Sequence, residues 1–210
     1  VRRTIADIRR SNVVFQGAHA VLAELAPHLT RLPGQATLLD VGTALGDVPR
    51  AAVRAARARN VSLTTIGLDR DAMVTRLAAE SVSHAVCGSG LSLPFRDSSV
   101  DVVMCSQTLH HFRGAEERAL LCEMNRVARI AVVVSDLRRS WIAAAGFWIA
   151  SFPLGFHRVT RHDGVLSVMR GYTDAELSGA VRDAVGVIPT VRRRIGFRVT
   201  TSWAPTGGCA

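Results

Sequence analysis

Short apolar segments alternate with helix-forming segments along most of the chain, and this alternation constrains the fold more than any other feature. Strands are expected at Ala36–Val41, Leu63–Leu68, His84–Cys87, Val100–Cys105 and Ile130–Val134. The last is almost purely β-branched and apolar, the pattern of a central parallel strand buried on both faces. Helices are expected between them. One runs from Asp47, a capping residue, to Asn60, with Pro49 in the first turn where a missing N–H costs little. Others cover Asp71–Ser81 and Ala115–Val127. Strands joined through helices give a mainly parallel sheet with right-handed crossovers.

A basic helical region, about residues 3–32, precedes this pattern and ends at Pro33-Gly34. After it, Thr173–Val185 reads as a helix with Thr173 and Glu176 in capping-box spacing. The segments Val187–Arg193 and Phe197–Trp203 flank Ile195-Gly196 as a closing hairpin. A chain of 210 residues fits one such domain, and no linker divides it. Its parts are a helical cap (1–35), a core (36–136) and a final segment (137–210).

All 26 basic residues are arginine, against 17 acidic ones. A nucleic-acid-binding surface is one reading of this excess, and codon bias toward Arg and Ala is another. Arginines cluster at Arg2, Arg3, Arg9 and Arg10, and again at Arg192, Arg193, Arg194 and Arg198. No aromatic residues interleave with them to form a stacking platform, which disfavours a nucleic-acid partner. Cys87, Cys105, Cys122 and Cys209 form no CxxC pair, and reduced thiols in the cytoplasm are expected. Residues Val1–Arg10 lack the apolar region of a signal peptide. The stretch Trp141–Phe156 is too short to span a bilayer and is interrupted by Pro153, so a buried helix or the wall of an apolar pocket is expected instead.

The first strand runs into Asp40-Val41-Gly42-Thr43-Ala44-Leu45-Gly46-Asp47, a glycine turn before a helix, as in nucleotide sites at the carboxyl edge of a parallel sheet. It is not the G-x-G-x-x-G of a dinucleotide site, because Ala44 takes the middle position and the third glycine is missing. Asp40 would repel a phosphate and suits a cationic group. Asp69 ends the second strand, where an acid accepts the hydroxyls of an unphosphorylated ribose. NAD would satisfy Asp69 as well, so this residue selects adenosine and not a reaction.

The segment Gly88-Ser89-Gly90-Leu91-Ser92-Leu93-Pro94-Phe95-Arg96-Asp97-Ser98-Ser99-Val100-Asp101-Val102-Val103 resembles the G-D-A-x-x-L-P-F-x-D-x-S-F-D-V-V segment of class I S-adenosylmethionine (SAM)-dependent methyltransferases, the small-molecule type related to ubiquinone and menaquinone biosynthesis. With the two preceding motifs, the resemblance covers about residues 36–136. Asp136-Leu137-Arg138-Arg139-Ser140, Thr160–Gly164 and Tyr172-Thr173 also look like methyltransferases found beside polyketide synthases. The resemblance implies an α/β, Rossmann-like, seven-stranded, mainly parallel sheet with a C-terminal antiparallel hairpin and helices on both faces. It also implies SAM as cofactor and S-adenosylhomocysteine (SAH) as product. By similarity, Asp40, Gly42, Thr43 and Gly46 hold the methionine end and Asp69 the ribose. Leu68 and Arg70 flank the adenine, with Ser89, Gly90, Leu91 and Ser106 completing the site. Ser89 replaces the family's usual acid and Ala44 a usual glycine. Each lost hydrogen bond is worth about 0.5–1.5 kcal/mol, so weaker cofactor binding is implied rather than lost activity.

Residues Ser106–Phe112 follow the fourth strand, where methyltransferases place acceptor-facing groups. They lack the N/D-P-P-Y signature of amino-group methylation on bases, and the cysteines lack the context used against pyrimidine carbons. Of the carboxylates a bound metal would need at the strand ends, only Asp136 qualifies, so no metal is expected. His110 and His111 are candidate general bases for a hydroxyl acceptor; packing against the sheet edge and helix capping are the alternatives. His162 with Asp163 is a further base candidate, or simply a turn with Gly164. Trp141, Phe147, Trp148, Phe152 and Phe156 favour an apolar acceptor, and the helix around Phe15–Ala18 is placed to close over the cofactor. The expected activity is methyl transfer to a small hydrophobic, aromatic, polyketide or quinone-like acceptor, on oxygen before carbon. The alternatives are a nucleic-acid methyltransferase and a non-catalytic protein that keeps the fold.

Overall fold

The computed structural model describes residues 17–209. The N-terminal arginines and Phe15 lie outside the described residues, so the expected closure over the cofactor does too. Helix α1 runs Gly17–Leu29, followed by β1 (Gln35–Val41), α2 (Asp47–Arg57), β2 (Ser62–Asp69), α3 (Ala72–Ala78), β3 (His84–Cys87) and β4 (Val100–Ser106). A 3-10 turn (Leu109–His111) leads to α4 (Ala115–Val127) and β5 (Ala128–Leu137). Then come α5 (Trp141–Ala150), α6 (Arg158–Met169), α7 (Asp174–Val185), β6 (Arg192–Arg194) and β7 (Arg198–Trp203).

The seven strands lie in the order β3-β2-β1-β4-β5-β7-β6. Strands β1 to β5 pair in parallel, and β7 runs antiparallel between β5 and β6. The architecture is the expected Rossmann-like sheet with a C-terminal antiparallel hairpin. Strand order reverses between β1 and β4, which opens a crevice at their carboxyl ends.

Period-two alternation divides the core. Leu39, Val41, Val103, Val132 and Val134 pack on one face with Leu120 and Met124 of α4 and Leu177 of α7. Leu38, Val102, Met104 and Val133 pack on the other with Val21 and Leu25 of α1 and Ala52 and Ala56 of α2. Each such large apolar side chain, fully buried, contributes about 1.5–3 kcal/mol. Buried Glu24 joins α1 to the hairpin by accepting from Arg192 (2.7 Å), Arg194 (2.8 Å), Thr200 (2.8 Å) and Ser202 (2.8 Å).

Several expected boundaries move. Helix α2 is entered from Gly46 at φ 72°, while the Asp47 carboxylate pairs with Arg50 at 2.8 Å instead of capping. The helix stops at Arg57 because Asn60 turns left-handed, at φ 60°. Strand β6 begins at Arg192 rather than Val187, beyond Pro189, which has no N–H for a ladder. His162-Asp163-Gly164 is not a turn but the middle of α6. Its glycine serves packing: a Cβ there would sit 2.1 Å from the Phe147 ring of α5.

The cysteines also depart from expectation. Cys105 is buried, but Cys87 is exposed, and Cys122 of α4 is disulfide-bonded to Cys209 of the tail across a Cα–Cα distance of 5.6 Å. The pair is brought together by the fold across a sequence separation of 87, which spacing rules do not reach. Cysteine usage therefore no longer argues for a reducing compartment. Among the described residues no helix is long and apolar enough to cross a membrane.

Candidate cofactor and acceptor cleft

The crevice at the β1/β4 reversal opens into a cavity of about 1080 Å³. Asp40, Gly42, Thr43, Leu68, Asp69, Arg70, Ser89, Gly90, Leu91 and Ser106 all line it, as do His110 and His111. Two expected site residues do not. Gly46 lies beneath α2, where a Cβ would come 2.8 Å from that of Ser81, so this glycine serves close helix packing rather than ligand contact. His162 is exposed on the outer side of α6, and its neighbours Thr160, Asp163 and Gly164 face the cavity instead.

The glycine turn is built around close approaches. Gly42 adopts φ 76°, and a Cβ there would lie 2.3 Å from the Thr108 hydroxyl. The N–H groups of Gly42 and Thr43 donate to the Leu68 carbonyl at 2.8 and 3.0 Å, tying the turn to the end of β2. Ala44 keeps the left-handed backbone of the glycine it replaces, at φ 49°, a conformation that costs an L-residue roughly 1–2 kcal/mol. Its N–H donates to Asp69 Oδ2 at 3.3 Å, and Asp71 N–H donates to Oδ1 at 3.1 Å. The Asp69 carboxylate thus stands at the mouth of the turn.

Asp40 is fully buried, and burial pushes its carboxyl up to about 7; the nearby Thr43 hydroxyl opposes this and the Asp69 charge adds to it. Asp40 Oδ1, Thr43 Oγ1 and Ser106 Oγ have no hydrogen-bond partner. Buried polar atoms are normally paired, so three orphans around one cavity mark a place for a polar ligand. Two carboxylates are wrong for a pyrophosphate and right for an ammonium and a ribose diol. The residues present fit the methionine and ribose portions of SAM.

The long motif divides by task. Gly88–Leu91 line the cavity, and the Ser89 hydroxyl accepts from Leu91 N–H at 3.2 Å. The Leu93-Pro94-Phe95 part is clamped away from it. Glu123 accepts from Leu93 N–H (2.6 Å), and Arg126 donates to the carbonyls of Leu93 (3.1 Å) and Phe95 (2.9 Å) and to Asp97 (2.6 Å). Asp101 stitches β4 to β1 by accepting from Thr37 N–H and hydroxyl at 2.9 and 3.0 Å, and it pairs with Arg129.

Past β4, His110 is buried in the 3-10 turn. Its Nδ1 lies 2.7 Å from Asp136 Oδ1, and its backbone N–H donates to Oδ2 at 3.0 Å. Burial would raise Asp136, yet these two donors and the Leu137 N–H (2.6 Å) hold its carboxyl below the usual range. An ionised Asp136 accepts from Nδ1–H, so in the neutral imidazole the lone pair falls on Nε2, which has no partner among the described residues. His111 stacks on His110 at 4.1 Å, and burial together with its neighbour lowers its pKa.

The far wall of the cavity includes Leu137, Ile142, Ala143, Phe147, Val168 and Phe197. Of the five aromatic residues expected near an acceptor, only Phe147 lines it, backed by Phe156 at 6.0 Å. Trp141 and Trp148 are exposed, since α5 can turn only one stripe inward, and Phe152 is exposed in the turn that follows it. Tyr172 is buried beside α7, where its hydroxyl donates to the Glu117 carboxylate and accepts from Arg113 at 3.0 Å. Among the described residues no His, Cys, Asp and Glu side chains gather into a metal site.

Sequence reasoning undervalued two cleft residues. In the sequence Asp136 reads as a lone candidate metal carboxylate within a methyltransferase-like segment, although the carboxyl end of β5 is where parallel sheets put functional groups. Arg198 was counted only within a basic cluster, and no local signal marks it as buried.

Residues 39–133 match the family model of the methyltransferase domain. A SAM-dependent methyltransferase from Thermotoga maritima superposes with a TM-score of 0.64 at 13% identity, over 97% of each chain. Magnesium protoporphyrin IX methyltransferase from Synechocystis PCC 6803, with bound SAH, gives 0.62 at 16% identity over 96% of this chain and 86% of its own. A SAM-dependent methyltransferase from Aquifex aeolicus gives 0.59 at 16% identity, over 88% and 89%. The chain therefore shares the fold of these SAM-dependent methyltransferases, and residues 39–133 are similar to the methyltransferase domain.

Proposed function

We propose that the chain transfers the methyl group of SAM to a hydroxyl oxygen of a small apolar acceptor of aromatic, polyketide or quinone-like type. One observation carries this reading. Beyond the cofactor-side residues the same cavity is lined by Leu137, Ile142, Ala143, Phe147, Val168 and Phe197, and by His110, whose Nδ1 pairs with Asp136.

When bound, SAM supplies a methyl carbon already activated by the sulfonium. Asp40 and Thr43 receive the methionine end, Asp69 the ribose, and Leu68, Arg70 and Ser89–Leu91 surround the adenine. The walls position the acceptor oxygen for in-line displacement, which supplies much of the rate. Asp136 would orient His110, whose Nε2 would accept the proton of the acceptor hydroxyl as that oxygen takes the methyl group, SAM supplying the leaving thioether. His111 packs against that ring.

A nucleic-acid acceptor has less support. Arg192 and Arg194 are engaged by Glu24, and Arg193 by Asp174 at 2.7 Å, so this basic cluster staples the hairpin. The test is a mass-spectrometric screen of phenols and hydroxyquinones incubated with SAM and the protein. A product heavier by one methyl group on a phenolic oxygen is expected. Intact SAH binding with no product across the panel, or salt-sensitive methylation of RNA or DNA instead, would overturn this acceptor assignment.

A further inference from the structure

We propose that Arg198 forms an anion subsite in the acceptor chamber, so that the natural acceptor carries a carboxylate besides the oxygen that is methylated. This rests on the acceptor chamber proposed above and names the class of molecule it takes.

Arg198 opens β7 opposite Leu137 of β5 and lines the cavity next to Gly196 and Phe197. Its residue surface is only 2% exposed, yet Nε and Nη1 have no hydrogen-bond partner. Burial lowers its pKa to about 10, with Asp136 opposing, which still leaves it cationic at neutral pH.

Both neighbouring acids are already committed. Asp136 accepts from His110 Nδ1, His110 N–H and Leu137 N–H. Glu24, on α1 against the hairpin, is taken by Arg192, Arg194, Thr200 and Ser202. The other three arginines of the hairpin are in ion pairs, and Arg198, the most buried of the four, is not. A buried charge left unpaired is among the costlier features a fold can carry, and a charged ligand removes that cost. A planar guanidinium with free N–H groups matches a carboxylate in two-point geometry.

Position assigns this charge to the acceptor. The cofactor-side residues come from the ends of β1, β2, β3 and β4, whereas Arg198 lies beyond β5 on the side of Leu137 and Phe197. An acceptor carboxylate held there would be anchored beside the His110–Asp136 pair.

The test titrates the protein–SAH complex with 4-tert-butylbenzoate and with the matching benzamide, using calorimetry. The parent protein is expected to bind the acid at least 10-fold more tightly than the amide. Arg198→Met should abolish that difference, Arg198→Lys should keep part of it, and SAH affinity should stay unchanged in both. Equal binding of acid and amide by the parent, or a preference that survives in Arg198→Met, would overturn the proposal. So would a loss of SAH affinity in both variants with the acid preference intact, because Arg198 would then hold the cofactor's carboxylate. The parent comparison stands even if a variant fails to fold. Failure of the methyl-transfer reading would appear separately, as acid-selective binding without methylated product.

Discussion

His110 and Asp136 meet twice, ring Nδ1 to Oδ1 at 2.7 Å and backbone N–H to Oδ2 at 3.0 Å. One carboxylate therefore fixes both the tautomer of the imidazole and the turn that carries it. Replacing His110 by Gln should lower kcat by about 10²–10⁴-fold, the usual contribution of a positioned general base. Asp136→Asn should also lower kcat and alter the acidic limb of the pH–rate profile, the limb a general base sets. SAH affinity should stay within twofold in both, whereas parallel losses of SAH affinity and kcat would make the pair purely structural.

If Asp40 receives the ligand ammonium as proposed, cofactor binding should depend on pH. Burial raises its carboxyl to about 7 in the free protein, so near neutrality much of it is protonated. A ligand ammonium favours the ionised form, so binding should release a proton and SAH affinity should rise as pH goes from 6 to 8. Calorimetry in buffers of different ionisation enthalpy reads the proton directly, and Asp40→Asn should remove both effects. The same raised value stabilises the ligand-free fold below the ordinary Asp range, and that contribution fades as pH rises through about 7.

Glu24 has the opposite sign. Burial would raise it, but the donors from Arg194, Ser202 and Thr200 and the Arg192 charge together hold its pKa below the ordinary Glu value. Its stabilising contribution is present above that ordinary value and is lost as pH falls through the lower folded value. Glu24→Gln leaves two arginines without their anion and should cost about 3 kcal/mol in urea unfolding at pH 7. The deficit should shrink at acid pH.

Gly164 lets α6 lie against the Phe147 ring. Gly164→Ala should push the ring toward the acceptor chamber, raising the acceptor KM several-fold and leaving SAH affinity unchanged. Steady-state kinetics and calorimetry on the same preparation separate the two.

The strands were legible because runs such as Ile130–Val134 are apolar on both faces and admit little else. The capping box at Thr173 and Glu176 was legible for a local reason: both its hydrogen bonds form within one helical turn. That Asp40, Gly42 and Asp69 share one cavity was legible because each sits at the end of a strand or in the turn that follows it. The acceptor side resisted reading because its determinants are tertiary. Gly164 looks like a turn residue until Phe147 is seen against it. Arg198 looks like one more surface arginine until β7 pairs with β5 and buries it. Ala44 is the instructive intermediate, a departure visible in the sequence whose backbone nevertheless follows the glycine pattern.

In the function proposed above, the cleft binds the methyl donor through Asp69 and the glycine turn. Calorimetric titration with SAH of the protein and of an Asp69→Ala variant tests this. Saturable binding by the parent is expected, with a loss of about 10- to 100-fold in the variant, the worth of hydrogen bonds to a charged acceptor. No heat from the parent at millimolar SAH, or equal affinity in the two proteins, would contradict it.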